Sequence, residues 1–176
     1  MSRRFPARPA LLLAAALLAA CASAPPPAGA PPGAVSVSWG DPARFTEARE
    51  NPRDTPAARE AWLSDLGRHL AERAAAVLPP DEKLDVRFTD VRRAGGFEPW
   101  RGPQAADVRI VRDIYPPRIV LEFQRRAADG RVLASGQRTL RDAAFLMRPN
   151  AYPDDPLGYE KMLLDDWVRQ EFGARR

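Results

Sequence analysis

Asp129-Gly130 stands between two runs in which apolar and polar side chains alternate, Arg118–Ala127 and Val132–Leu140. Asp-Gly suits a tight hairpin because glycine takes a positive φ without steric cost. The two runs are expected to pair antiparallel, and two central residues in the turn place Gly136 opposite Phe123. This constrains the fold more than any other feature. A sheet must receive the pair, and other elements must cover its apolar face, which carries Ile119, Leu121 and Phe123.

The rest of the domain reads around that hairpin. Val35–Trp39 (VSVSW) alternates as a half-buried strand. Thr55-Pro56 is a cap followed by proline at the first helical position, and Leu63, Leu66, Leu70, Ala74 and Val77 then fall on one helical face. Gly67 lies near that face, where it allows close packing, and Pro79-Pro80 ends the helix. Leu84, Val86 and Phe88 mark a second strand, followed by the loop RRAGGFEPWRGPQ. Val108, Ile110 and Ile114 mark a third, interrupted at Pro116-Pro117. Asp155-Pro156 repeats the cap-plus-proline device before a last helix bearing Leu163, Leu164, Trp167, Val168 and Phe172. The expected class is α+β: an antiparallel sheet of four to five strands packed on one face by two helices.

The front of the chain has a different character. Arg3, Arg4 and Arg8 precede ten apolar residues, Leu11–Ala20, and no acidic residue occurs before Asp41. A basic start followed by a short apolar run is a secretory signal, too short to span a bilayer. Leu18-Ala19-Ala20-Cys21 resembles the bacterial lipobox, which implies residues 1–20 as a signal peptide and a lipid on Cys21. Ala22-Ser23-Ala24 offers a site for ordinary signal peptidase, but Pro25 follows it. That cut would leave a soluble periplasmic protein. Residues 21–33 (CASAPPPAGAPPG) lack the composition for a core and read as an extended tether. Residues 34–176 then form one domain. Cys21 is the sole cysteine, so no internal disulfide is possible. Lys+Arg 27 against Asp+Glu 23 becomes nearly balanced once the three leading arginines are removed. With no basic run interleaved with aromatics, nucleic acid is not an expected partner.

VSVSWGDPARFTEAR, KLDVRFTDVRRAG, DVRIVRDIYPPRIVLEF, the Asp-Gly hairpin and LGYEKMLLDDWVRQEF together resemble, in order, the blocks of the bacterial family catalogued as domain of unknown function 3016. The resemblance implies a small secreted or lipid-anchored protein of a Gram-negative bacterium and brings no activity or catalytic residue. Where that family has an Asp-x-Asp-Leu-Ala-Gly-like stretch, this chain reads Asp90-Val91-Arg92-Arg93-Ala94-Gly95, with arginine in place of the second acid.

His69 is the sole histidine, which excludes paired-histidine metal motifs, and Asp65 one turn earlier is its expected partner. No GxSxG occurs, and Ser64 does not share a face with His69. Asp154-Asp155 reads as helix capping and Asp165-Asp166 as a largely solvated pair. No calcium loop is present, and neither a metal nor a cofactor is expected. The candidate binding residues are Trp100 in FEPWRGPQ, Tyr115 and Arg118 flanking the two prolines, and Asp90. Gly158-Tyr159-Glu160-Lys161 is a further segment of interest. The expected function is a non-catalytic binding or adaptor domain, with a membrane partner through lipid on Cys21 and a second partner in an envelope protein or the cell wall. The resemblance to lipoproteins implies, from alanine rather than an acidic residue after Cys21, the outer membrane, facing the periplasm. Two alternatives stand: a hydrolase built on Asp90, Glu122 and Arg118, and a small-ligand carrier with an apolar cavity.

Overall fold

The computed structural model describes residues 34–173, except 52, 104 and 105. The expected signal peptide (residues 1–20), Cys21 and the expected tether (residues 21–33) therefore lie outside the described residues. Six strands and three α-helices follow one another: β1 (Val35–Trp39), α1 (Thr46–Glu50), α2 (Pro56–Ala75), β2 (Lys83–Arg92), β3 (Gly96–Phe97), β4 (Arg109–Ile110), β5 (Arg118–Arg126), β6 (Val132–Arg141) and α3 (Gly158–Phe172). The main sheet has the order β1-β2-β5-β6, while β3 and β4 form a separate two-stranded ribbon.

The sheet is mixed, which corrects the antiparallel expectation. β1 runs parallel to β2, from Val35 opposite Leu84 to Trp39 opposite Phe88. The cause is the helix between them. A long crossover returns the chain to the end where it started, whereas a short turn would reverse it. The run Val108–Ile114 also fails to join the main sheet. Only Arg109–Ile110 is extended, and it pairs with Gly96–Phe97.

The hairpin places Phe123 opposite Gly136 as expected, by a different route. Ala127 N–H donates to Arg131 O, and Gly130 N–H to Ala127 O, both at 2.9 Å. This closes a three-residue loop with Gly130 at φ +85°, a type I turn ending in a left-handed residue. The resulting register offset is cancelled by an irregularity between Arg125 and Arg126. A second irregularity lies between Phe88 and Asp90. It shifts the buried face from Phe88 to Val91 and turns Asp90 away from the core.

One face of the sheet carries Leu84, Val86, Phe88, Val91, Ile119, Leu121 and Phe123, all buried. Leu63, Leu66 and Leu70 of α2 and Leu164, Trp167 and Val168 of α3 belong to the same core. Thr55 caps α2 by accepting from Ala58 N at 3.1 Å. A Cβ on Gly67 would stand 3.4 Å from the Trp39 ring and 3.5 Å from Val37, so this glycine lets α2 sit close on β1. Val77 departs from expectation: the helix ends at Ala75, Val77 is exposed, and Leu78 fills the core instead. The start of α3 also departs. Asp155 accepts from Leu157 N at 2.8 Å, making a local turn, and the helix begins at Gly158 with no side-chain cap.

Candidate functional site

The ladder between β2 and β5 ends at the pair Arg92–Arg118. Beyond it the chain leaves the sheet as a ribbon of residues 93–117, and the amides that follow Arg92 lose their ladder acceptors. Each finds another. Arg93 N–H donates to Glu47 Oε2 of α1 at 2.9 Å. Ala94 N–H donates to Glu160 Oε1 of α3 at 2.5 Å. Gly95 N–H donates to Tyr115 O at 3.0 Å. Three consecutive amides are thus held from three separate segments.

Gly95 is required here by backbone geometry. Its φ is +84°, and a Cβ would lie 2.9 Å from Ile110 O. Gly96 packs under the Tyr115 ring, 3.1 Å from where its own Cβ would be. The outer half of the ribbon is braced on Glu98, which is fully buried. It accepts from Arg112 at 2.8 Å and from Tyr115 Oη at 3.2 Å, and it pairs with Arg101 at 2.5 Å. Burial opposes the charge on Glu98, but the Arg112 and Arg101 guanidiniums outweigh it and hold the carboxyl below its ordinary value. Burial, and then the Glu98 charge, push the Tyr115 hydroxyl up. Arg109 pairs with Glu47 and lies over the Phe97 ring, 4.9 Å from its centroid.

Outward from this brace the ribbon presents apolar side chains. Trp100 is 71% exposed and Ile114 56%, with Val108 and Val111 also exposed. Nearby, Asp90 Oδ1 accepts from Thr46 N at 2.6 Å, and Oδ2 accepts from Thr46 Oγ1 at 2.8 Å and from Arg118. Arg92 pairs with Glu50 at 2.8 Å.

All four candidate binding residues therefore fall at one end of the sheet. Their availability differs. The Tyr115 hydroxyl and the Asp90–Arg118 pair are bound within the fold, while Trp100 faces solvent. The hydrolase set is not assembled: Asp90 and Arg118 touch, but Glu122 lies four residues further along β5, roughly 13 Å away at the rise of an extended strand. Glu122 lines hollows of about 340 and 320 Å³ on the open sheet face, neither of which includes Asp90 or Arg118.

His69 also departs from expectation. Its Nε2 meets Asp165 Oδ1 of α3 at 2.9 Å, while Asp65 binds Lys161 at 2.8 Å. Asp165 is far from a solvated carboxylate. It accepts from Tyr152 Oη at 2.6 Å and from Arg73 Nε at 3.0 Å as well. Tyr152 stands edge-on to the His69 ring, with centroids 5.4 Å apart. This cluster joins α2 to α3 and is lined by no serine or cysteine that its histidine could activate. Among the described residues, no group of three or more His, Cys, Asp or Glu is placed to hold a metal ion. No helix among them is long and apolar enough to cross a membrane.

Sequence reasoning did not foresee the burial of the three acidic residues that hold the ribbon, Glu47, Glu98 and Glu160, although Glu160 lies in a segment it singled out. Glu160 could have been found, since it sits four residues before Leu164 and seven before Trp167, on the apolar stripe of α3. Glu47, on the short helix α1, and Glu98, in the loop before Pro99, carry no comparable signal, because their burial is set by the packing of the ribbon.

Among curated proteins, none matches this chain. Among solved structures it is similar to the PelC dodecamer from Paraburkholderia phytofirmans, at 16% identity and a TM-score of 0.36, over 84% of this chain and 94% of that one. A variant of that dodecamer gives 18% and 0.35, over 85% and 93%. A minor lipoprotein from Acinetobacter baumannii gives 11% and 0.24, over 77% and 87%. Likeness at this level carries no argument about role. The family match does assign membership: residues 33–170 match the family described as protein of unknown function (DUF3016), and the chain belongs to it.

Proposed function

We propose that the protein is an envelope lipoprotein, held through lipid on Cys21 at the periplasmic face of the outer membrane, whose ribbon is a non-catalytic surface for an envelope protein. One observation carries this reading. Ala34 O accepts from Leu84 N at 2.8 Å, so the chain enters at the start of β2, whereas the ribbon leaves from its end. Eight residues of strand separate the two, roughly 26 Å at 3.3 Å each. A domain fastened by the residues before Ala34 can direct Trp100 away from its anchor. An exposed tryptophan on a braced ribbon is a residue type that dominates binding energy at protein interfaces.

The test has two arms. Cys21→Ala should move the protein from the membrane to the soluble periplasmic fraction; retention in the membrane would refute the anchor. A photo-cross-linker at Ile114 should capture one envelope protein repeatedly, and Trp100→Ala should abolish the adduct. Capture that is unchanged by Trp100→Ala would refute the ribbon as the binding surface.

A further inference from the structure

Glu47, Glu98 and Glu160 all hold the ribbon and are all nearly or fully inaccessible to solvent, at 1%, 0% and 1% exposure. Two of them have a guanidinium partner: Arg109 for Glu47, and Arg112 with Arg101 for Glu98. Glu160 has none within ion-pairing distance among the described residues. Its Oε1 accepts from Ala94 N, and its Oε2 is buried without a hydrogen-bond partner. We propose that Glu160 is a proton-operated latch: the protonated acid locks the root of the ribbon against α3, and loss of the proton frees it. This rests on the ribbon being the binding surface, whose display the latch would regulate.

No cation on the surrounding elements pairs with Glu160 among the described residues. From α1 the Glu47 carboxylate faces the same pair of amides, and its further oxygen is already taken by Arg109 of β4. Within the loop, Arg93 is the nearest cation, but its guanidinium donates to Pro156 O at 3.2 Å. On α3, Lys161 is committed to Asp65 and Asp155. On β2, Asp90 is bound to Thr46 and Arg118, and Arg92 to Glu50. Burial pushes the Glu160 carboxyl above its ordinary value of 4.5, outweighing the amides of Ala94 and of Glu160 itself and the Arg93 charge, which favour the carboxylate; Glu47 adds a smaller push upward. In the neutral form Oε1 is the carbonyl oxygen that receives Ala94 N–H, and the proton resides on Oε2. Ionisation places a charge where the neighbouring amides, without a paired cation, do not replace its lost hydration. Water reaches that charge by separating the loop from α3, which releases the ribbon as pH rises.

The test is amide hydrogen exchange of the Cys21→Ala chain from pH 5.5 to 8.5, expressed as protection relative to the intrinsic rate. Protection at Arg93, Ala94 and Gly95 should fall at least tenfold across this range while the β2 and β5 amides hold theirs. In Glu160→Gln, a neutral isostere that cannot ionise, protection should stay flat. Flat protection in the parent chain, or an equal fall in Glu160→Gln, would overturn the latch. If Glu160→Gln does not fold, the carboxyl carbon of Glu160 can be titrated by NMR in the parent chain. A midpoint at or below 4.5 would overturn the proposal as well. Neither readout involves a partner, so the latch and the binding surface can fail separately.

Discussion

Replacing Glu47 by glutamine should cost about 3 kcal/mol, with the damage concentrated in the ribbon. Glu47 Oε2 accepts from Arg93 N–H at 2.9 Å, and Oε1 accepts from Arg109 and, at 3.4 Å, from Asn51 Nδ2. A glutamine has one carbonyl oxygen for these two sides. Turned toward Arg93, it sets its own NH₂ against the Arg109 guanidinium. Turned toward Arg109, it leaves the Arg93 amide facing an NH₂. Removing one member of a buried ion pair costs about 3–5 kcal/mol, and the lower end applies because the Arg109 side chain retains 20% of its exposure. For a domain of this size that corresponds to a melting point lower by roughly 10 °C. Urea and thermal unfolding of the Cys21→Ala chain measure the loss, and amide exchange at residues 93–97 locates it. A loss below about 1 kcal/mol, or a normal ribbon in a uniformly weakened protein, would show that Glu47 does not hold the ribbon.

Gly95→Ala should destabilise by at least about 1–2 kcal/mol, the cost of the left-handed backbone, and more from the contact with Ile110 O. Its signature would be displaced amide signals across β3 and β4. Trp100→Ala should leave unfolding free energy within about 0.5 kcal/mol while removing the cross-link, and a large stability loss would show that the ring is part of the fold. Lys161 supplies a pH signature. Its hydrogen bond is the largest influence on Asp65 and lowers it. On Asp155 burial is the largest influence and raises it, but the Lys161 hydrogen bond, the Leu157 amide and the Lys161 charge together outweigh it, so both carboxyls lie below their ordinary 3.8. Their contribution is present above 3.8 and is lost as pH falls through their folded-state values. Stability curves of the parent and Lys161→Met should therefore converge below about pH 4; parallel curves would refute the pairing.

What was legible in the sequence was what local chemistry decides. Asp129-Gly130 named the hairpin, and the alternation of Ile119, Leu121 and Phe123 named its buried face. The Thr55-Pro56 cap marked the start of α2. The direction of β1 was hidden because VSVSW pairs equally well either way, and only the crossover through α2 determines it. The bulge at Thr89 was hidden for a related reason. Alternation through Phe88 predicts an inward residue at position 90, whereas register with β5 turns Asp90 outward to meet Thr46. His69 illustrates a limit of reasoning along one helix. Asp65 is four residues away and correctly spaced, yet α3 brings Asp165 closer and Lys161 claims Asp65. The candidate site was legible as a place, since Trp100, Tyr115, Arg118 and Asp90 converge, but its supports were not.

Those supports explain why so many buried charges gather at one end of a small domain. An apolar root would avoid the burial of three acidic side chains. It would leave a worse defect. The ribbon departs where the β2–β5 ladder stops, so the N–H groups of Arg93 and Ala94 would be buried without acceptors, at about 1–3 kcal/mol each. Leucines at positions 47 and 160 could not receive these donors. Carboxyl groups can, and their orientation fixes the direction in which the ribbon leaves the sheet. The polar root thus fixes where β3 and β4 stand relative to the main sheet, and under the binding reading proposed above it holds the exposed Trp100 at a set angle.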